Sequence, residues 1–162
     1  MAKVITFSEK FPAYHPKAGQ PTFFVEKFWV SIKVPLPVSV HAEQLESRVS
    51  NLMLGDFRPK HHTIRMGKRW KEGDNFSPRI WSGKPYNSKQ IIIADDQIIL
   101  KVWDIESTGN NHLYINEKSI NHFDTMRLAE NDGLQMDELL AWFKYPQPFK
   151  GQILCWNNYI NY

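Results

Sequence analysis

The stretch from Gln90 to Trp103 most constrains what this chain can fold into. Gln90-Ile91-Ile92-Ile93 and Gln97-Ile98-Ile99-Leu100-Lys101-Val102-Trp103 are nearly continuous apolar runs, separated by Ala94-Asp95-Asp96. A strand with one wet face alternates apolar and polar residues, whereas a strand covered on both faces does not. Each run has strand length, and the acidic break reads as a turn. The pattern therefore predicts a hairpin buried on both faces, as in a small barrel. Other elements must then supply the covering.

Those elements are legible along the rest of the chain. Val4–Phe7 reads as a first strand. Three prolines and a glycine make residues 11–21 a loop. Thr22 can cap a helix whose buried stripe is Phe24, Val25, Phe28, Trp29 and Ile32, stopped by Pro35 and Pro37. Ser39 can cap a second helix, with Leu45, Val49, Leu52 and Met53 on one face and Gly55 at its end. Asp124 can cap a short helix through Asn131, closed by Asp132-Gly133. Met136, Leu139, Leu140 and Phe143 mark another helix, and Gly151–Trp156 reads as a final strand. Helices flanking several short strands mean α+β. The 162 residues favour one domain, with an inserted segment at about 35–59 that carries the extra helix.

Composition narrows the setting. One cysteine, Cys155, leaves no disulfide framework and suggests a reducing compartment. No run approaches the roughly 20 apolar residues of a membrane span, and no signal-peptide pattern opens the chain, so a cytoplasmic protein without membrane partners is expected. Net charge is only +3, but it is unevenly placed. Arg58–Lys89 holds nine Lys or Arg against Glu72 and Asp74, whereas Ala94–Glu138 holds ten acids against three cations. One basic face toward an anionic ligand is the natural reading. Trp70, Trp81 and Tyr86 lie among these cations, as single-stranded nucleic acid would require.

The densest chemistry lies in Lys60-His61-His62-Thr63-Ile64-Arg65. Alternation makes 63–66 a strand, with Thr63, Arg65 and His61 on one face. Parity alone sends Lys60 the other way, so Lys60 joins Thr63 only if the chain bends after Pro59. A lysine, a hydroxyl and an acid suit an amide hydrolase. A free lysine titrates near ~10.4, so a base near neutrality requires a downward shift of about 3 units, roughly 4 kcal/mol. A protonated Lys60 that binds phosphate requires none, so binding leads on energetic grounds. Adjacent histidines point to opposite faces of a strand, and no histidine shows ligand spacing. No metal or cofactor is expected, and one of the pair should be an ordinary surface residue. Cys155, between Leu154 and Trp156, reads as a small buried residue.

Lys60-x-x-Thr63-x-Arg65 resembles the signature of the ASCH domain family, Gly-x-Lys-x-x-Glu-x-Arg. The run from Leu128 to Phe143, with Ala129, Asp132-Gly133 and Trp142-Phe143, resembles the family's second hallmark. The Gly151–Trp156 strand resembles its last strand. The resemblance implies a PUA-like mixed β-barrel with flanking short helices around a cleft that takes RNA, a nucleotide or a modified nucleoside. In one branch, an amidohydrolase of N4-acetylcytidine, the motif Glu is Thr, and a Lys, that Thr and a Glu are catalytic. Lys60 and Thr63 match that branch, and Asp132 falls where its acid would be. Arg58 stands in place of the motif glycine.

Two functions follow as expectations. The first is a binding module for RNA or a modified nucleoside, with Arg65, Arg69, Lys84 and Tyr86 lining the ligand and Lys60 as a charged contact. The alternative is an amidohydrolase acting on an acylated nucleoside, with Lys60 as base or nucleophile, Thr63 as hydroxyl relay and Asp132 as acid. An interaction domain with a vestigial cleft is the plainest third.

Overall fold

A computed structural model of the chain describes residues 1–33, 54–110 and 112–162. The helix expected over 39–53, and most of the inserted segment, lie outside them. In chain order the described elements are β1 (Lys3–Thr6), α1 (Phe24–Ile32), β2 (His62–Met66), β3 (Asn75–Trp81), β4 (Gln90–Ile92), β5 (Gln97–Ile98), β6 (Lys101–Ser107), β7 (Leu113–Ile115), β8 (Lys118–Ser119), α2 (His122–Asn131), α3 (Met136–Trp142) and β9 (Phe149–Cys155). The architecture is mixed α+β.

The strands make two sheets. In one, β1 runs parallel to β3, and β4 and β5 both pair antiparallel with β3. The other is wholly antiparallel, in the order β2-β9-β6-β7-β8. No ladder joins the two sheets among the described residues, so the expected barrel does not close there.

The hairpin expected across Ala94–Asp96 is corrected in an informative way. β4 and β5 do not pair with each other. They follow the same strand, β3, with the register slipping by two residues between them. Ile93 N bridges the gap by donating to Pro78 O at 3.0 Å. The acidic break is a bulge, and the chain then crosses to the other sheet as β6, against β9. Cover on both faces holds only in part: Ile93 and Ile99 are 1% and 0% exposed, but Ile98 and Leu100 face outward at 51% and 43%, so the second run has one open face.

One apolar core serves both sheets and α1. At its centre Phe28 of α1 meets Phe7, Phe76 of β3 and Trp156 beyond β9, with ring centroids 5.0, 6.3 and 5.2 Å away. The α1 stripe is buried at Phe24, Val25, Phe28 and Trp29 and only partly at Ile32, and Trp29 Nε1 donates to Ile93 O. Thr22 acts one position outside the cap. Its Oγ1 accepts from Phe24 N at 3.2 Å and donates to Ser8 O. α2 begins earlier than expected, because the cap is Asn121, whose Oδ1 accepts from Asp124 N, and Asp124 lies in the first turn. α3 opens with a capping box between Gln135 and Glu138.

Among the described residues no helix is long and apolar enough to cross a membrane.

Candidate functional site

Lys60 reaches the site because it precedes the regular strand. Lys60 N donates to Lys27 O of α1 at 2.9 Å, and His61 N donates to Asn131 O at the end of α2 at 2.7 Å. These bonds hang residues 60 and 61 between two helices, and β2 starts only at His62. Lys60 thus lies before the regular strand, and it lines the same cleft as Thr63.

Asp132 comes to meet it. The helix α2 ends at Asp132, and Gly133 turns the chain with φ +79°. That conformation favours glycine. A Cβ on Gly133 would lie 3.2 Å from Lys27 Cδ and 3.4 Å from Lys60 Cβ, so the missing side chain also lets the turn rest on both lysines. Lys60 Nζ donates to the Asp132 carboxylate Oδ1 and to the Asp132 carbonyl, each at 2.7 Å. The Phe24 ring lies 4.1 Å from Nζ. Lys60 is 1% exposed and Asp132 4%.

This environment changes the chemistry of both groups. Burial pushes the Lys60 ammonium down to about 8, helped by the charges of Arg65 and Lys27 and opposed by Asp132. Burial alone would raise the Asp132 carboxyl, but Lys60 and His62 more than offset it and hold it below its ordinary value. Asp132 is therefore an anion at neutral pH. It holds Lys60 through an ion pair at 2.7 Å.

Lys60, Thr63, Arg65 and Asp132 line one cleft of about 50 Å³, with Phe24, Leu134, Trp142 and Phe143 among its apolar walls. Pockets that enclose a whole small ligand start at roughly 300 Å³, so this cleft takes only the end of one. Thr63 makes no side-chain hydrogen bond among the described residues, so no preformed link joins its hydroxyl to Lys60 there. Arg65 donates from one terminal nitrogen to Thr6 O, while its buried Nε has no partner. Burial lowers the Arg65 pKa. The opposing charge of Asp132 and the like charge of Arg69 also act on it, which puts Arg69 within electrostatic reach of the cleft.

The remaining expected ligand contacts differ in placement. Tyr86 is 87% exposed and stands 5.3 Å from the Trp81 ring, on a turn closed by Gly83 N to Ser88 Oγ and Asn87 N to Lys84 O. Lys84 belongs to that turn, but no described contact carries it to the cleft. The basic segment is also less free than its sequence suggests. Lys60, Lys68 and Arg58 pair with Asp132, Asp104 and Glu130, all from the acidic segment.

Three contributors went unnoticed in the sequence. Lys27 donates to Gly133 O at 2.7 Å and adds its charge beside Lys60. His62 is 0% exposed, with Nδ1 3.5 Å from Asp132 Oδ1. Tyr162 bonds His62 Nε2 at 2.6 Å. The expectation that one histidine of the pair is an ordinary surface residue fails, since His61 is also buried, against Asn157 and Tyr159. Only the spacing of His62 two residues after Lys60 hinted at its place. Tyr162 gave no signal, being separated by 100 residues from its partner. Among the described residues no group of three or more His, Cys, Asp or Glu could hold a metal.

Two larger hollows, of about 430 and 490 Å³, lie elsewhere. In the first, Lys68 and Lys150 pair with Asp104 and Glu106 at the surface, where ion pairs contribute little. The second lies between α2, α3 and the Leu113–Asn121 stretch and holds no ion pair among its described lining. Neither contains a buried lysine beside a carboxylate. No family model, curated protein or solved structure matches the chain.

Proposed function

We propose that the chain is an ASCH-like domain of PUA-like descent that hydrolyses the amide of an acylated nucleoside. The observation that supports this reading best is Lys60: 1% exposed, held at 2.7 Å by Asp132, and pushed down to about 8. The energetic objection drawn from the sequence was the size of the required shift, and burial supplies most of it. A lysine buried against its own carboxylate is also a poor phosphate contact, because Asp132 already occupies it. Strongly perturbed groups in a cleft are the usual mark of chemistry.

With its pKa about 8, roughly a tenth of Lys60 is neutral at pH 7. The neutral amine takes a proton from water or from the Thr63 hydroxyl as that oxygen attacks the acyl carbon. The Arg65 guanidinium faces the oxygen that gains negative charge. Lys60, now an ammonium, gives its proton to the departing nucleoside amine, and the carbon–nitrogen bond breaks. If Thr63 was the attacking group, water then releases the acyl group as a carboxylate. Asp132 keeps Nζ in place throughout. The nucleoside remains outside the small cleft, beside Arg69 and Tyr86.

Incubation with N4-acetylcytidine tests this reading. Cytidine and acetate are expected, with kcat/KM rising about tenfold per pH unit below 8 and levelling above it. Lys60→Ala should remove the activity. Absence of cytidine with folded protein at every pH from about 6 to 9 would overturn the hydrolase for this substrate.

The exposed Tyr86 and the nearby Arg69 support a second reading, a binding module for RNA or a modified nucleoside. In that case affinity for a short RNA should fall steeply with salt, as released counterions require.

A further inference from the structure

We propose that His62 is a positioning residue for the Lys60–Asp132 pair, with its tautomer fixed by Tyr162. This rests on the hydrolase reading for its catalytic consequence, but its geometry stands separately.

Tyr162 OH lies 2.6 Å from His62 Nε2 and accepts from Asn131 Nδ2 at 2.9 Å. Burial raises the Tyr162 pKa, so the phenol keeps its proton. With Asn131 donating to its oxygen, the phenol directs its own O–H at Nε2. Neutral imidazole that accepts at Nε2 carries its proton on Nδ1. Nδ1 then presents an N–H toward Asp132 Oδ1, 3.5 Å away. That separation lacks hydrogen-bond geometry, and Nδ1 is buried without a hydrogen bond. The opposite tautomer would turn a lone pair toward the carboxylate, in a site where burial makes repulsion costly.

Burial also holds His62 below its ordinary pKa, with Asp132 opposing and Lys60 adding to the shift. His62 is therefore neutral at pH 7 and supplies a dipole rather than a charge. The charged and titratable groups facing it are Lys60 and His61 from its own segment, Asp132 at the end of α2, Cys155 opposite it in β9, and Tyr162, on which Arg127 acts in turn.

Tyr162 is itself firmly placed. Its ring meets Trp103 edge-on at 5.1 Å. Lys101 Nζ donates to Asn158 O, Ile160 O and Asn161 Oδ1, each at 2.7 Å, which holds the segment leading to it. The chain after β9 thus delivers one hydroxyl to the back of the candidate site. The N–H on Nδ1 stabilises the carboxylate in the rotamer that grips Lys60. Groups that orient a reacting residue in this way typically matter by about 10–100-fold.

The test reads the imidazole nitrogens directly, by nitrogen-15 NMR of histidine-labelled protein, and follows hydrolysis of N4-acetylcytidine in three variants. The wild type should show the Nδ1–H tautomer at His62, and Tyr162→Phe should disturb that signal. His62→Leu should lower kcat by about tenfold or more, with KM within about twofold. His62→Asn places an amide N–H near the position of Nδ1 and should recover most of that loss. An Nε2–H tautomer in the wild type would overturn the proposal, as would equal kcat loss in the Leu and Asn variants. If the protein does not hydrolyse the substrate, the hydrolase reading fails, and the tautomer alone decides the placement of His62.

Discussion

Asp132→Ala is expected to destabilise the protein by about 3–5 kcal/mol at pH 7. The reason is not the strength of the ion pair. Burying two charges costs nearly as much as their attraction returns, whereas removing one partner strands the other. Without Asp132, Lys60 keeps a Nζ that is 1% exposed in front of aromatic rings. It can escape only by losing its proton, so its pKa must fall further. Lys60→Met/Asp132→Asn should then recover most of the loss, to within about 2 kcal/mol of wild type, because no buried charge remains. Urea unfolding of the single and double variants measures this. For a domain of this size the single variant should melt roughly 10 °C lower.

The same pair gives stability a definite pH dependence. The folded pKa of Lys60 lies below its unfolded value, so the unfolded chain binds the extra proton between about pH 8 and pH 10.4. Stability must rise with pH across that window. His62 and Asp132 are also lowered, and each costs stability as pH falls below its unfolded value and through its folded one. All three groups thus penalise acidification.

Gly151→Ala is expected to lose at least about 3–4 kcal/mol or to prevent folding. Gly151 lies in β9, between β2 and β6, opposite Met66 and Ile105. A Cβ there would collide with the Arg65 carbonyl and come within 3.3 Å of Met66 Cα. These are backbone atoms of a paired strand, so no side chain can swing aside. Relief requires β2 to move, and β2 carries Thr63 and Arg65. Activity should therefore fall even if the variant folds. Gly55→Ala is the matched control, since its added Cβ meets nothing among the described residues. It should change stability by no more than about 0.5 kcal/mol.

Sequence reasoning reached the site through local chemistry and failed where placement depended on distant chain. The Thr63–Met66 strand, the glycine turn after Asp132 and the α1 stripe all follow from periodicity, parity and turn chemistry. The barrel did not follow, because apolar runs do not say what covers them, and Ile98 and Leu100 are left exposed. Two sheets sharing the Phe7–Phe28–Phe76–Trp156 core satisfy the same pattern as a closed ring. Asp124 was preferred as a cap because residue type alone cannot choose between two candidates three residues apart. Asp132 was named as a distant partner, but its lowered pKa was not legible, since it depends on Lys60 and His62 arriving together. One of the two histidines was expected at the surface because the groups that bury them, Asn157 and Tyr159 for His61 and Tyr162 and the end of α2 for His62, are remote in sequence.

Titration of the Lys60 side chain is the most direct measurement. Carbon-13 labelling at lysine Cε, with the resonance assigned by its absence from the Lys60→Met spectrum, reports the protonation of Nζ without any substrate. A midpoint near 8 is expected. A midpoint at or above the free-lysine value of about 10.4 would contradict the buried amine on which the proposed chemistry depends.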